Sequence, residues 1–193
     1  MHNAVEARAS VPVVFETRRL LCRRIVPADA PAMFRVYGDA EAMRWVGDGK
    51  ALNQAQCRDW IAITERNYAE KGYGMFALAC RASGTVIGFC GIVHPGGQPE
   101  AEIKYALHRN HWGRGLATEA VQALLAAAPH LGIRHVIATV APENLPSQAV
   151  LLKAGMARGE IRVNDDGSTT QFFSYATATD GSVQVIPNNA LPG

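Results

Sequence analysis

The sequence has no marked excess of charge of either sign. It contains 19 Lys and Arg against 17 Asp and Glu, which gives a formal net charge of +2. Surfaces that bind nucleic acid need a basic patch or stripe to contact phosphates, and the basic residues here are scattered. We therefore predict no nucleic-acid partner, and we expect the arginine doublets at 18–19 and 23–24 to be solvated strand ends.

Long apolar runs are also absent. A membrane-spanning helix needs roughly 18 or more consecutive apolar residues, and the sequence contains no such run. Residues 1–12 lack the apolar centre of a signal peptide. These absences predict a cytoplasmic protein without a membrane partner.

Cysteine is scarce. Cys22, Cys57, Cys80 and Cys90 are far apart along the chain, with no Cys-x-x-Cys pair and no His at ligand spacing. This pattern argues against a disulfide framework and against a structural zinc site. We predict that the protein holds no metal and that its thiols are reduced and mostly buried, as in cytosolic proteins.

The sequence does contain an alternation of strand-like and helix-like segments. With 193 residues, 48% of them hydrophobic, the chain is long enough for one domain with a core. The order β-α-α-α-β-β-β-α-β-α-β-β predicts a single α/β domain with a mixed central sheet of about seven strands and about four or five helices. We place this domain at residues 16–176, after a lead-in at 1–15 and before a mobile tail at 177–193.

The most informative segment is residues 108–119, His-Arg-Asn-His-Trp-Gly-Arg-Gly-Leu-Ala-Thr-Glu. It follows an alternating, strand-like run at 101–107 and opens a helix near Leu116. Gly113 and Gly115 can adopt positive φ at little cost, and the first N–H groups of a helix have no internal partner. A glycine turn that leads into a helix is typical of an anion site, usually for phosphate.

Two common phosphate-binding motifs do not match this segment. The dinucleotide fingerprint needs a third glycine three residues after the second, where this chain has Thr118. The nucleotide-triphosphate loop needs Gly-Lys followed by Ser or Thr, and that tripeptide does not occur.

Four segments, at 16–24, 101–107, 112–120 and 143–156, together resemble the GNAT N-acetyltransferases. They are most similar to the branch that acetylates the N-termini of ribosomal proteins, and the resemblance covers roughly residues 16–176. It implies the GNAT fold, acetyl-CoA as co-substrate, and a primary amine as acceptor, either a peptide N-terminus or a small molecule.

Four residues depart from the pattern of that branch. Asn110 stands where Gln or Arg is common, and we expect one phosphate contact to be weaker as a result. Lys104 replaces a common Gly, Leu152 a common Glu and Met156 a common Phe. We expect these three to be packing or surface changes.

The resemblance assigns the cofactor to a defined group of residues. The pyrophosphate is expected on the backbone N–H groups of residues 113–117, with Arg114 either in direct contact or solvated beside the turn. The cofactor-binding candidates are Leu107, His108, Gly113, Arg114, Gly115, Leu116, Ala117, Thr118, Asn144 and Ser147.

The general base that removes a proton from the acceptor amine is predicted to be Glu102, on the strand that runs beside the acetyl group in the resembling enzymes. The alternative is that Glu102 is an exposed strand carboxylate, because strand residues alternate between the two faces. His108 and His111 are rival bases that rank lower, because a histidine beside such a turn is more often a surface or capping residue.

The proton donor to the leaving sulfur is predicted to be Ser147, with Tyr105 as second candidate. Asn144 is expected to hold the amide arm of the cofactor or the substrate, and it is also a good helix N-cap. The oxyanion is expected on a backbone N–H in the range 106–108.

An α-amine has a pKa of about 7.7–8.0, against about 10.4 for lysine, so a weak base suffices for it. This favours α-amines or small-molecule amines as acceptors.

Two other functions stay open, namely a non-catalytic acyl-CoA sensor with the same fold, and an interaction protein in which the glycine segment is only a turn. A homodimer through the final hairpin is a further expectation.

Overall fold

A sheet of eight strands forms the centre of the computed structural model, which describes residues 11–47 and 49–177. The strands are β1 (Val13–Glu16), β2 (Leu20–Arg24), β3 (Met75–Cys80), β4 (Val86–Val93), β5 (Ala101–Leu107), β6 (His135–Val140), β7 (Ala157–Val163) and β8 (Thr169–Ala176). Their order across the sheet is β1-β2-β3-β4-β5-β6-β8-β7.

Five α-helices pack on this sheet within the described residues. They are α1 (Ala30–Tyr37), α2 (Ala40–Met43), α3 (Gln54–Lys71), α4 (Leu116–Ala127) and α5 (Leu145–Lys153). None of the helices in the described part is long and apolar enough to cross a membrane.

The predicted α/β class and mixed sheet are confirmed, with eight strands in place of about seven. The extra strand is β1, which the sequence did not predict and which pairs antiparallel with β2 through Glu16 and Leu21. Residues 1–10 and 178–193 lie outside the described residues, so the expectations for the start of the lead-in and for the tail apply to parts that are not described.

Two hydrophobic clusters flank the sheet because strand residues alternate between its faces. The larger cluster packs α4, through the fully buried Ala120, Val121 and Leu124, against strand residues such as Ile103. The smaller cluster packs α1 and α3 on the other face, around Phe89. The helix α4, which follows the glycine turn, and the helices α1 and α3 therefore lie on opposite faces of one sheet.

The sheet opens between β5 and β6. Their parallel pairing covers two residue pairs, Ala101 with Val136 and Glu102 with Ile137. On its other side, β5 stays paired with β4 as far as Leu107. The two parallel strands therefore separate toward their carboxyl ends, which creates an opening through the sheet at the place where ligands bind in open α/β folds.

Candidate functional site

The glycine turn lies at the carboxyl end of β5 and leads directly into α4. Gly113 has φ +70° and Gly115 φ +72°, a left-handed conformation that favours glycine. The N–H of Glu119 donates to the carbonyl of Gly115 at 3.1 Å, which is the first helical bond of α4. The backbone N–H groups at 113–117 precede that bond, and their binding of an anion stays a prediction.

A partly exposed ion pair holds this turn against the β1–β2 hairpin. The guanidinium of Arg19 donates to the carboxylate of Glu119 at 2.6 Å and to the carbonyl of Arg114 at 2.8 Å. The hydroxyl of Thr17 donates to the same carboxylate at 2.5 Å. The prediction that the doublet at 18–19 is merely solvated was therefore wrong for Arg19, which fixes the glycine turn from a distant part of the chain.

The two arginines at 23–24 also make contacts within the fold. Arg23 donates to both carboxylate oxygens of the buried Asp29, at 2.7 and 2.8 Å. The guanidinium of Arg24 lies over the ring of Tyr68, 4.7 Å from its centroid. Neither arginine is a free solvated strand end.

Burial by itself would raise the pKa of Glu119. Hydrogen bonds from Thr17 and Arg19, together with the positive charge of Arg19, outweigh that effect and hold the pKa of this carboxyl below its ordinary value. Glu119 is therefore ionised throughout the neutral range, and it anchors Arg19 as a charge-assisted partner.

The histidines near the turn have structural explanations. The Nδ1 of His108 accepts from the N–H of Asn110 at 3.4 Å, which caps a short 3₁₀ turn at 109–111. Burial, followed by electrostatic interactions with Arg114 and His108, lowers the pKa of His111. The capping alternative thus accounts for His108, while Arg114 is exposed on the turn.

The backbone N–H groups near the end of β5 point alternately to β4 and to the opening. The N–H of His108 donates to the carbonyl of Ile87 on β4 at 2.9 Å, and Ala106 lies opposite Phe89. Because these pairs alternate along an antiparallel ladder, the N–H groups of Ala106 and His108 point to β4. Of the range expected for the oxyanion, only the N–H of Leu107 points to the side where β6 diverges.

Two of the predicted catalytic residues meet at this opening. The phenol oxygen of Tyr105 lies 2.6 Å from the Oγ of Ser147, on the first turn of α5. Burial raises the pKa of Tyr105 to about 12, although the hydrogen bond with Ser147 acts in the opposite direction. The Oδ1 of Asn144 accepts from the N–H of Ser147 at 3.2 Å, so Asn144 caps α5 as the sequence allowed.

Glu102 lies on the opposite face of β5 from Tyr105 and is buried, with a side chain only 3% exposed. Its carboxylate accepts hydrogen bonds from the Lys104 ammonium, the Thr139 hydroxyl and, at 3.3 Å, the Gln98 amide. The alternative expectation of an exposed strand carboxylate was therefore wrong. Its role as a base stays a prediction.

The replacement of a common glycine by Lys104 was expected to be a packing or surface change, but Lys104 makes specific contacts. Its ammonium pairs with Glu102 and donates to the Oγ1 of Thr139 at 3.3 Å, across the gap between β5 and β6. The side chain remains 40% exposed. The substitution of a common glycine by Lys104 thus places a cation at the opening.

A cavity of about 550 Å³ extends from this opening to the α1–α3 side of the sheet. Asn144, Ser147 and Tyr105 form one end of it, so the predicted proton donors face the cavity. The remaining lining residues come mainly from 45–47, α3 and residues 92–95, and include Tyr37, Trp45, Trp60, Lys71, Tyr73 and His94.

Sequence reasoning missed the pair of Tyr73 and His94 in this cavity. The Nε2 of His94 lies 2.8 Å from the phenol oxygen of Tyr73, and its Nδ1 lies 3.0 Å from the carbonyl of Gln98. The carbonyl requires Nδ1 to carry the proton, so Nε2 accepts from Tyr73. No motif marked this histidine, because Tyr73 lies 21 positions away in the sequence.

The expectation of reduced, mostly buried thiols agrees with the structure. All four cysteines are free, and three of them are buried. Cys22 and Cys90, 68 positions apart in sequence, approach to 4.0 Å between sulfurs. Burial raises the pKa of the Cys22 thiol, which makes it unreactive. Among the described residues no group of three or more His, Cys, Asp or Glu could hold a metal ion.

Comparison with known proteins gives matches to one family. The family model described as an acetyltransferase (GNAT) domain matches residues 19–157. The chain is 34% identical over 139 residues to the uncharacterized N-acetyltransferase p20 of Bacillus licheniformis. The aligned region covers 70% of this chain and 77% of that protein.

Solved structures share the fold. An acetyltransferase from Agrobacterium tumefaciens superposes with a TM-score of 0.73 at 27% identity, covering 87% of this chain and 96% of that one. The ribosomal L7/L12 α-N-protein acetyltransferase RimL, solved in complex with coenzyme A, superposes with a TM-score of 0.75 at 17% identity. That match covers 88% of this chain and all of RimL, and it concerns the fold alone.

Proposed function

The chain belongs to the GNAT acetyltransferase family, and we propose that it transfers the acetyl group of acetyl-CoA to a primary amine bound in the 550 Å³ cavity. The observation that carries this proposal is the arrangement around the end of β5. The glycine turn lies where the strand ends, and the Tyr105–Ser147 pair lies beside the same stretch of strand.

The glycine turn fits the diphosphate of coenzyme A. Its N–H groups at 113–117 precede the first helical bond of α4, and a Cβ at Gly113 would meet no atom within 4 Å. The space beside the turn is therefore open to a ligand. The N-terminal end of the α4 dipole and the exposed Arg114 add positive potential there. Bound acetyl-CoA supplies the acetyl thioester.

Ser147 and Tyr105 are proposed to donate the proton that the leaving sulfur needs. At neutral pH Tyr105 holds its proton, because its pKa is raised to about 12. A proton lost from Ser147 Oγ can be replaced along the 2.6 Å hydrogen bond between Ser147 and Tyr105. The Leu107 N–H, directed at the opening, is proposed to stabilise negative charge on the acetyl oxygen.

Direct proton removal by Glu102 is less favoured by its surroundings. Its carboxylate already accepts from three side chains, and it has almost no exposed surface. An α-amine is roughly a tenth neutral at pH 7, so binding of that neutral fraction needs no strong base. We therefore propose that Glu102 positions Lys104 and Thr139 at the opening, and that any basic role is exercised through water.

A non-catalytic acyl-CoA sensor with the same fold is the second candidate function. The Tyr105–Ser147 hydrogen bond favours the enzyme, since a sensor needs no proton donor at this position.

The cytoplasmic location and the homodimer stay predictions. The strand β7, at the edge of the sheet, exposes Ile161 and Val163 and would be the surface involved in such a dimer.

The test is release of free CoA thiol from acetyl-CoA in the presence of a panel of amino acids, small peptides and small amines. We expect amine-dependent release that saturates with both substrates. Binding of acetyl-CoA without release for any amine would favour the sensor. An absence of both binding and release would contradict the proposal.

A further inference from the structure

The cavity beside Tyr105 and Ser147 has a basic lining. Its charged side chains within the described residues are Lys71 and Lys104, and no Asp or Glu of the described part lines it. We infer that the acceptor is a primary amine that also carries a carboxylate, on an apolar or aromatic body. This inference rests on the acetyl transfer proposed above and specifies its substrate class.

The ion pair of Lys104 and Glu102 presents its positive member to the cavity. The Glu102 side chain is 3% exposed and does not line the cavity, whereas the Lys104 side chain is 40% exposed and does. A molecule in the cavity therefore meets the positive end of the pair first. The Coulomb interaction weakens with distance, so the nearer ammonium dominates the potential that an approaching group experiences.

The ammonium of Lys104 keeps a donor for a ligand. It has three N–H groups, and the side chains of Glu102 and Thr139 accept from it. The third N–H is available to a carboxylate in the cavity. A charge-assisted hydrogen bond of this kind is among the stronger polar contacts in proteins.

Lys71 adds a second cation, from the last turn of α3. It is exposed and makes no ion pair with any described residue. Two lysines repel a polyamine or a simple alkylammonium ion that approaches the same cavity. The charges therefore favour an acceptor whose own anionic group balances them.

Aromatic side chains contribute to the rest of the lining, beside aliphatic and polar residues. Tyr37 and Trp60 are in contact, with ring centroids 5.4 Å apart, and Trp45 and Tyr73 complete this part of the lining. A volume of about 550 Å³ is that of a small-molecule site. A free α-amino acid with a large apolar side chain fits this chemistry, and so does the end of a short peptide that carries a carboxylate.

The experiment compares matched acid and amide acceptors. Phenylalanine, tryptophan and leucine are each assayed beside the corresponding amino-acid amide, and the dipeptides Ala-Phe and Ala-Phe-amide represent the peptide source. Amidation replaces the carboxylate by a neutral group of the same shape. Binding of N-acetylphenylalanine and of its amide, in the presence of CoA, is measured by thermal shift so that the comparison does not depend on turnover.

We expect at least one acid to exceed its amide about tenfold or more in kcat/KM, as for one charge-assisted hydrogen bond. In Lys104→Met this preference falls to about one, and in Lys104→Arg it is largely kept. Lys71→Met lowers it about two- to fivefold, the range of an exposed charge pair. Lys153→Met, on the exposed last turn of α5, serves as the matched control and leaves the preference unchanged.

Lys104→Met leaves the buried carboxylate of Glu102 without its cation, so that variant is also checked for folding by circular dichroism. If it does not fold, Lys71→Met and the wild-type acid-to-amide ratios decide. Acetylation of amides or simple amines in preference to every acid would overturn the inference while leaving the proposed function intact. Absence of acetyl-CoA binding would overturn the proposed function itself.

Discussion

The phenol oxygen of Tyr105 lies 2.6 Å from the hydroxyl oxygen of Ser147, although the two residues are 42 positions apart. One side chain comes from β5 and the other from the first turn of α5. The two strands that lead to these positions are parallel and separate at this level. The pair therefore spans the opening of the sheet and forms one end of the cavity.

Ser147→Ala is expected to lower kcat by about 100-fold, the usual scale for loss of a general acid, with little change in acetyl-CoA affinity. The physical reason is that Tyr105 then has no hydroxyl through which to pass a proton. Steady-state kinetics and calorimetry on the same preparation separate the two effects. Ser168→Ala, in the exposed β7–β8 turn, is the control, and a wild-type rate in Ser147→Ala would remove Ser147 from the mechanism.

Arg19→Met is expected to weaken acetyl-CoA binding about tenfold, a loss of roughly 1.4 kcal/mol. Arg19 makes no predicted contact with the cofactor, but it holds the Arg114 carbonyl and the Glu119 carboxylate, so its loss frees the glycine turn. Arg162→Met removes an exposed arginine from β7 and serves as the matched control. Equal affinity in Arg19→Met and the control would show that the turn needs no such anchor.

The same ion pair predicts an acid limit to stability. The pKa of Glu119 is lower in the folded chain than its ordinary value of 4.5. The carboxylate therefore stabilises the fold at pH values above that ordinary pKa, and this contribution is lost as the pH falls through the folded pKa. We expect the melting temperature to decrease as the pH drops below about 4.5. In Glu119→Gln this decrease is expected to be smaller. An unchanged pH profile in Glu119→Gln would exclude Glu119 as the titrating group.

The helix that carries the glycine turn depends on its buried face. Leu124→Ala removes a fully buried side chain from α4 and is expected to lower the free energy of unfolding by about 2–5 kcal/mol. Leu152→Ala, at a position on α5 that is 44% exposed, is expected to change it by less than about 1 kcal/mol. Urea denaturation measures both, and a similar loss in the two variants would contradict the assigned packing.

Local rules predicted the parts of the site that depend on local geometry. Gly113 and Gly115 adopt positive φ and α4 begins at Leu116, because turn glycines and helix starts are encoded by adjacent residues. Asn144 caps α5 for the same reason. These features needed no knowledge of the rest of the chain.

Contacts between distant segments were not predictable in this way. Arg19 and Glu119 are 100 positions apart, and no pattern in either segment indicates the other. The pair of Glu102 and Lys104 is different, because strand alternation puts residues two apart on the same face. That spacing could have indicated the ion pair, whereas the burial of Glu102 depends on Thr139 and Gln98, which only the folded sheet brings near.

Calorimetric titration with acetyl-CoA tests the central claim most directly, namely that the turn at 113–117 binds the diphosphate. We predict saturable binding to the wild-type protein, and an affinity at least about tenfold lower in Gly115→Glu, where a side chain is strained at φ +72° and its charge opposes the diphosphate. Gly167→Glu carries the same kind of strain at φ +82° in the distant β7–β8 turn and should bind normally. Absence of heat from acetyl-CoA with the wild-type protein, or equal affinity in the two glutamate variants, would contradict the account.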